Sequence, residues 1–368
     1  MNAGSLARLL VVTLIAVAGA GVSAWLGRSD NGSDQRGEPF VPGMIGKANQ
    51  LTRLRFDAGD WQAVLVRQDQ GFVDEASGFP ADPQAIRALL TAMATLTIEE
   101  RKTSDPTRYA DLDLGDPGTD QGAGKRIELF AGDAPVARMV LGKRDMSVGG
   151  TSGGVFARRL DEPQSWLLRG ALDLPDSRAG WFDTSLLTVP AAKITAVRLQ
   201  ANDGASLDFA SPAAGQPLAL KDVPADRRAA SARLTRLAGL PGNLRFQAVR
   251  RADAAVSVIG SALFTTADGS TVTIERLSQP AGASPDGKSE SAADAKADAK
   301  ADPPSPTGQW VRLSASIAGD DGRALLSDLA ARTNGFHFQL ADSDVELLVP
   351  DQAQWLEPAD PPAAGSRS

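Results

Sequence analysis

The sequence predicts an α+β fold of two tandem repeats, each an antiparallel sheet packed by one amphipathic helix, after an N-terminal transmembrane helix. The first observation is an ungapped match between residues 79–96 and residues 223–240, in which nine of eighteen positions are identical. The second is an alternation of apolar and polar residues ahead of each copy, in residues 51–66 and 194–209, around a turn-forming Gly/Asn/Asp cluster. This alternation predicts paired strands with one buried face, and its recurrence indicates a duplicated unit. A helix laid on such a sheet buries both apolar faces.

The first element is an uncharged, apolar run at residues 9–27, bounded by Arg8 and Arg28. Nineteen residues are just enough to span a bilayer as a helix. The basic N-terminal side favours a cytoplasmic N-terminus. We therefore expect residues 9–27 to anchor the chain in the bacterial inner membrane, with the C-terminal body in the periplasm. The alternative is a signal peptide cleaved after Ala24, so residues 1–28 are interpreted as a transmembrane anchor or a signal sequence.

A linker rich in Gly, Pro, Ser, Asp and Asn is predicted at residues 29–47, and the first α+β repeat at residues 48–190. The helix of this repeat has local causes. Asp82 can cap its first turn, and Pro83 fits the first helical position, where its missing N–H is not needed. The apolar residues that follow recur at helical spacing and predict a buried stripe: Ile86, Leu89, Leu90, Met93 and Leu96.

The second repeat is predicted at residues 191–358, followed by a disordered tail at residues 359–368. Its helix carries the equivalent apolar stripe: Ala230, Leu234, Leu237 and Ala238. A segment rich in Ala, Lys, Asp and Pro interrupts this repeat at residues 280–308. It has almost no large apolar residue, so we expect a disordered insertion that cannot offset its ordering entropy by burial.

Further strands are expected after each helix, at residues 126–130 and 271–277 and, beyond the insertion, at residues 310–313. Each repeat is then predicted to end in two similar strands. These strands are residues 155–160 and 164–168 in the first repeat, matched to residues 336–340 and 345–349 in the second.

Composition limits the classes of function. The chain has 368 residues, a formal charge of −7, one histidine and no cysteine. An acidic balance gives no support to nucleic-acid binding, which usually requires a basic surface. The lack of cysteine excludes disulfides, thiolate metal sites and a cysteine nucleophile. A histidine-based zinc site is excluded because such a site needs several His or Cys ligands.

Two sets of residues resemble catalytic groups, and each has a plainer structural interpretation. His337 lies in an alternating run, which favours a half-exposed strand residue over a member of a Ser-His-Asp triad, because no nucleophile elbow is present. Asp111, Asp113 and Asp116 are spaced closely enough for a calcium site or an acid/base pair. Their Gly and Pro neighbours favour a turn instead.

Two further patterns also have a plainer structural interpretation. The glycine-rich residues 149–154, and Gly124 with Lys125, lack the sequence of a phosphate-binding loop, so a hairpin turn is favoured for the first. Seven arginines make the region of the second helix basic, which suits an anionic partner or lipid headgroups, or simply a solvated helix face: Arg227, Arg228, Arg233, Arg236, Arg245, Arg250 and Arg251.

The order of these features resembles the DUF4340 family. The resemblance runs through residues 51–350 and rests on these segments: Phe79-Pro80-Ala81-Asp82, Arg108 to Leu114 with Pro117, Val140-Leu141-Gly142-Lys143-Arg144, Val155-Phe156-Ala157-Arg158, Leu172, and Trp181-Phe182-Asp183. The chain departs from the family pattern at residues 111–114 and in its Ala/Lys/Asp insertion. The resemblance implies an N-terminally anchored protein that faces the periplasm or outer surface. Some family members accompany ABC-type export permeases or gliding-motility-like auxiliary subunits.

The sequence therefore predicts a non-enzymatic accessory or scaffold subunit of an envelope complex such as an ABC-type transporter. It assigns no catalytic, cofactor-binding or metal-binding residue and no cofactor. A second hypothesis is a module that binds an envelope glycan or peptide through exposed aromatics such as Trp61, Trp166 or Trp310. A third is a carboxylate-based hydrolase, which requires at least two of the three aspartates to share a pocket, one with a raised pKa.

Overall fold

The structure is a computed structural model that describes residues 35–119, 122–148, 153–213, 216–278 and 309–359. The predicted anchor or signal sequence lies outside the described residues. So do residues 29–34 of the predicted linker, the insertion at 280–308, and all of the predicted tail except Ala359. Among the described residues, no helix combines the length and the apolar character needed to cross a membrane.

The fold consists of mainly antiparallel sheets with few helices, which confirms the predicted α+β class. The first sheet has eight strands in the order β3-β2-β1-β5-β6-β7-β8-β4. Their bounds are β1 Arg53–Asp57, β2 Gln62–Gln68, β3 Gly71–Asp74, β4 Thr97–Arg101, β5 Lys125–Ala131, β6 Ala134–Asp145, β7 Gly154–Arg159 and β8 Ser165–Arg169.

The second sheet also has eight strands, in the order β12-β11-β10-β16-β17-β18-β19-β15. Numbered along the chain within each sheet, both sheets have the order 3-2-1-5-6-7-8-4. The bounds are β10 Ile194–Ala201, β11 Ser206–Ala210, β12 Ala219–Leu220, β15 Ala248–Arg251, β16 Val258–Thr266, β17 Thr271–Leu277, β18 Trp310–Ser316 and β19 Phe336–Gln339. Two small ladders pair β9 (Ser185–Leu187) with β14 (Leu244–Arg245), and β13 (Arg227–Ala229) with β20 (Leu356–Pro358).

The described α-helices are short, apart from the predicted one in the first repeat. They are α1 Met44–Lys47, α2 Pro83–Thr95, α3 Ser231–Gly239, α4 Asp320–Leu326, α5 Leu329–Thr333 and α6 Asp342–Val345. The predicted start of α2 is confirmed, because the Asp82 carboxylate accepts the backbone N–H of Gln84 at 2.8 Å. Ile86, Leu89 and Met93 of its stripe are buried.

The second helix begins later than the sequence match predicts. Residues 227–229 form β13, which pairs with β20, and α3 starts only at Ser231. The second copy has Arg227 where the first has Pro83, so no proline fixes the first helical turn. Ala230 instead donates its backbone N–H to the carbonyl of Trp355 at 2.9 Å. A strand partner more than a hundred residues away in the chain therefore replaces the first turn of the helix.

The predicted correspondence between the ends of the two repeats is wrong by one strand. In sheet order β7 corresponds to β18, and β8 corresponds to β19, which contains residues 336–339. Residues 345–349 do not form a strand. They continue α6 into a short 3-10 helix at Glu346–Leu348. Leu347 and Leu348 are adjacent and both buried, which helical turns allow and a strand with one buried face does not.

Part of the predicted linker, residues 37–44, is attached to the first unit. Phe40, Val41 and Met44 are at most 6% exposed. Gly37 and Phe40 donate backbone N–H groups to carbonyls of Ile98 and Leu96, at 2.7 and 2.9 Å, along the free edge of β4. Bulky apolar residues among the glycines and prolines account for this, because they stabilise the segment by burial.

The described chain divides by its internal contacts into two compact units. The first unit comprises residues 35–51, 56–59 and 88–174, and the second comprises residues 52–55, 60–87 and 175–359. One core cluster of the first unit contains Tyr109, Leu114, Val140, Phe156 and Leu167. In the second unit, Phe79 packs edge-on against four other phenylalanines, with ring centroids 5.0 to 5.8 Å apart: Phe182, Phe246, Phe336 and Phe338. The repeat bounds at 48–190 and 191–358 remain a prediction.

Candidate functional site

A small cavity lies in the first unit beside the N-terminal segment, and we call it the β6 groove. Its volume is about 180 Å³. It is lined by Phe40, Val41, Pro42, Pro135, Val136, Ala137, Arg138, Met139, Arg159, Asp161 and Glu162. Residues 37–40 pair with β4, and this pairing places Phe40 in the wall of the groove. Arg159 fixes this wall, because it donates to the Phe40 carbonyl at 2.9 Å and stacks on the Phe40 ring at 4.5 Å.

The charges around the β6 groove are paired with one another. Arg138 donates to Glu128 and to Asp161, each at 2.9 Å, and Arg159 donates to Glu162 at 3.2 Å. The hydrogen bond that Arg138 donates to Glu128 raises the pKa of Arg138. Apolar residues form the rest of the lining: Phe40, Val41 and Met139 are buried, Val136 and Ala137 are partly buried, and Pro42 and Pro135 are exposed. The groove therefore offers an apolar floor with a charge-balanced rim, which suits contact with another apolar surface better than acid/base chemistry.

The three aspartates are not brought to one site. Asp111 faces Arg108 at 3.7 Å and is exposed. Asp113 ends the 3-10 helix Pro106–Leu112 in the left-handed conformation, with φ 55°. This is a turn role that Asp tolerates better than most residues. The predicted turn is thus confirmed.

Asp116 forms ion pairs with two arginines that lie on later strands. Arg158 donates to it at 2.7 Å and Arg126 at 3.1 Å. Burial acts to raise the pKa of Asp116, but the two guanidiniums outweigh it, and the pKa lies below its usual value. A general acid requires the opposite shift, so this carboxylate does not fit the hydrolase hypothesis.

Arg158 is a buried residue that sequence reasoning missed. It is 6% exposed, donates Nε–H to the Leu114 carbonyl at 2.9 Å and lies over the Tyr109 ring at 4.9 Å. It ties the turn that contains Asp116 to β7. Nothing local in the sequence signals this, because its partners lie more than forty residues earlier in the chain.

His337 lies on β19, as predicted, but it is buried rather than half-exposed, with 2% of its surface accessible. Among the described residues its Nδ1 has no hydrogen-bond partner. Burial first, and then the positive charges of Arg250 and Arg312, lower the pKa of His337. The described residues place no serine-carboxylate pair around it, so the triad interpretation receives no geometric support.

The arginines around the second helix mostly hold the chain together. Arg233 stacks on Trp355 at 4.7 Å and donates to the Glu346 carbonyl at 2.7 Å. Arg228 pairs with Glu357 at 3.2 Å. These contacts secure the C-terminal segment to α3 and β13. Five of the seven arginines are nevertheless exposed, as the solvated interpretation predicts: Arg227, Arg228, Arg236, Arg245 and Arg251.

Arg250 is the exception among these arginines. Its guanidinium lies 4.1 Å above the Trp310 ring, while its Nε and Nη2 atoms are buried without a hydrogen-bond partner among the described residues. Burial lowers the pKa of Arg250. Trp310 is partly exposed, whereas Trp61 and Trp166 are 7% and 5% exposed and belong to the core. Two of the three aromatics expected on a ligand-binding surface are therefore structural.

The glycines of the two glycine patterns have structural roles wherever the structure describes them. Residues 149–152 lie outside the described chain, and Gly153 has φ +67° ahead of β7. A Cβ on Gly124 would lie 2.4 Å from the Gly115 carbonyl oxygen, so close backbone packing explains that glycine. Across the described parts of the chain, no group of three or more His, Asp or Glu side chains is arranged to hold a metal ion.

Comparison with known proteins identifies a family. A family model described as "Domain of unknown function (DUF4340)" matches residues 72–258. This range covers half of the chain and contains α2, the first sheet from β3 onward, and the second sheet up to the start of β16. No curated protein and no solved structure matches the chain.

Proposed function

The chain belongs to the family described as Domain of unknown function (DUF4340), and on that basis we propose that it is a non-enzymatic accessory or scaffold subunit of an envelope complex. The partner class is a membrane complex such as an ABC-type transporter. Residues 9–27 anchor the protein in the bacterial inner membrane, with its C-terminal body in the periplasm. The family description names no activity, so the proposal depends on the sequence and the geometry.

The observation that carries the proposal is the attachment of the N-terminal segment. Residues 37–40 pair with the edge of β4, and Phe40, Val41 and Met44 are buried. Nine residues, 28–36, separate this paired segment from the end of the apolar run. Nine residues span at most about 32 Å when fully extended. A retained anchor would therefore hold this edge of the first unit close to the membrane surface.

The β6 groove lies beside that segment, and α1 follows it directly. Ile45 of α1 is 80% exposed, and Val136 and Met139 contribute apolar lining to the groove. An apolar centre with a polar rim is the arrangement of a protein contact surface. A short tether and an apolar contact surface on the same side support binding to a neighbouring membrane protein.

The two-repeat organisation is part of the proposal. The same strand order in both sheets and the sequence match between residues 79–96 and 223–240 support repeats at 48–190 and 191–358.

The test is photo-crosslinking in membranes of the native host. A photoreactive amino acid replaces Ile45 in the full chain, and the control position is Met146, which is 64% exposed. Met146 is a matched control because it is also an exposed apolar residue of the first unit but follows the other end of β6. We expect a permease or ATPase to be captured from position 45 and not from position 146, and to be lost in a version that starts at Asn31.

Capture of no protein from position 45 would contradict the accessory-subunit proposal. Equal capture of the same partner by the version starting at Asn31 would contradict the role of the anchor. Absence of any protein partner would favour the second hypothesis, a module that binds an envelope glycan or peptide.

A further inference from the structure

Arginines of the second unit show how this protein normally satisfies a guanidinium. Arg198 donates Nε–H and Nη2–H to the two oxygens of Asp208, at 2.6 and 3.1 Å. Arg178 uses the same two nitrogens for the two oxygens of Asp74, at 3.2 and 2.6 Å. This edge of the guanidinium forms two parallel hydrogen bonds with a carboxylate. In both cases the carboxylate comes from the chain itself.

Arg250 presents the same edge without such a carboxylate. Its Nε and Nη2 atoms are buried and have no hydrogen-bond partner among the described residues. Asp253 is the carboxylate that influences Arg250 electrostatically, but no ion pair joins the two. A buried donor without a partner is costly, and more so when it carries charge. Stacking on Trp310 stabilises the positive charge above the ring face, but it gives the buried N–H groups no hydrogen-bond acceptor.

The register of the second sheet places other polar groups beside this edge. Arg250 is directly opposite His337, and Trp310 is directly opposite Gln339. Residues opposite each other in a ladder, and residues two apart in a strand, share one face of the sheet. Arg250, His337 and Trp310 therefore lie on the same face, and His337 is 98% buried (2% exposed) with its Nδ1 unpartnered in the described chain.

Charge on this face is not balanced locally. Arg312 also acts on His337, but its own charge is matched by Glu275 at 2.6 Å. Arg250 is left with a positive charge and two directed donors. Arg250 and Trp310 are both partly exposed, so the stacked pair borders solvent.

We propose that Arg250, with Trp310 beneath it and His337 beside it, forms a binding site for a carboxylate group supplied by a molecule outside this chain. The ligand carboxylate accepts Nε–H and Nη2–H of Arg250 in the same fork that Asp208 makes with Arg198. Trp310 holds the guanidinium plane in place. This site is independent of the β6 groove and of the proposed accessory role.

The single histidine of the chain provides a direct probe of the site. Ring resonances of His337 need no assignment among other histidines, because there are none. The full chain is titrated with sodium acetate at constant ionic strength, with sodium chloride replaced as acetate is added, so that general screening is unchanged. We expect a saturable shift of the His337 resonances with acetate and none with chloride alone.

Variants then assign the response to Arg250. Arg250→Lys keeps the charge and the aliphatic stem but lacks the fork, so we expect acetate binding to weaken at least about tenfold. Arg198→Lys is the matched control, because it removes a fork already occupied by Asp208, and its acetate response should equal that of the wild type.

Three results would overturn the proposal. They are a wild-type response identical in acetate and chloride, an unchanged affinity in Arg250→Lys, and a saturable response to inorganic phosphate with none to acetate. The first and third need no variant, so the proposal is testable even if Arg250→Lys does not fold.

Discussion

The two sheets share a strand order but differ in whether their buried arginines have hydrogen-bond partners. In the first sheet, Arg158 is 6% exposed and is satisfied by Asp116 and by the Leu114 carbonyl. In the second, Arg276 is 7% exposed, and its Nε has no hydrogen-bond partner among the described residues. Burial lowers the pKa of Arg276, with no carboxylate opposing the shift. The two sheets share a strand order, but their buried arginines lie on non-equivalent strands, β7 and β17, and are paired differently.

The largest expected effect comes from breaking a satisfied pair. Asp74 on β3 is 1% exposed; it accepts Arg178 at 2.6 Å and both the Ser77 N–H and hydroxyl, at 2.7 and 2.6 Å. Asp74→Ala leaves these donors without their acceptor, so we expect the free energy of unfolding to fall by about 3 kcal/mol. Urea denaturation measures this change.

The control for that substitution is the next residue. Glu75→Ala removes a half-exposed carboxylate 3.8 Å from Arg53, and we expect a change within about 0.5 kcal/mol. Equal losses in the two variants would show that the Asp74 network adds nothing beyond a surface charge.

The next prediction tests the contrast between the sheets directly. Arg158→Met removes a paired cation from the first sheet, and we expect a loss of about 2 kcal/mol. Arg276→Met replaces a buried cation by an apolar side chain of similar length, and we expect a gain of about 1 kcal/mol. Opposite signs in urea denaturation would confirm that the arginines differ in pairing. A similar loss in both would contradict the comparison.

A smaller difference is expected between two aspartates that the repeat places at equivalent positions. Asp82 caps α2 through the Gln84 N–H at 2.8 Å, whereas Asp226 precedes β13 and its side chain is 82% exposed. We expect Asp82→Ala to cost about 1 kcal/mol and Asp226→Ala to cost less than about 0.5 kcal/mol. Thermal unfolding of the two variants checks this. Equal costs would mean that both aspartates still act as caps.

This pair also shows what the sequence could predict. The start of α2 is encoded locally by Asp82 and Pro83, and the alternating runs locate most strands, including β17 to the residue. The β13–β20 ladder joins residues 227–229 to residues 356–358, and no local pattern encodes a partner at that distance.

The same limit applies to the sites. The turn role of Asp113 was predictable from neighbouring Gly and Pro residues, whereas Asp111 lies within the 3-10 helix Pro106–Leu112. The partners of Arg158, and the edge of Arg250 that faces no carboxylate among the described residues, depend on strand register. The sequence pattern specifies register only as an inward or outward direction.

The smallest expected effect is a pH dependence confined to the second sheet. Burial, followed by the charges of Arg250 and Arg312, lowers the pKa of His337, while Asp253 acts weakly in the other direction. The unfolded chain then binds more protons than the folded chain below its unperturbed pKa of about 6.5. The stabilisation is therefore present above that pH and is lost as the pH falls through the folded pKa.

His337→Gln isolates this contribution. Carboxylates with lowered pKa values, such as Asp116 and Asp208, titrate below the range in which an ordinary histidine titrates, so they affect the wild type and the variant equally. We expect the free energy of unfolding of the wild type to decrease from neutral pH to mildly acidic pH more steeply than that of His337→Gln. Parallel curves would mean that His337 titrates alike in both states and that the positive charges of the second sheet are screened from it. A shallower wild-type decrease in the presence of acetate would tie this titration to the carboxylate at Arg250, because a bound anion favours the protonated imidazole.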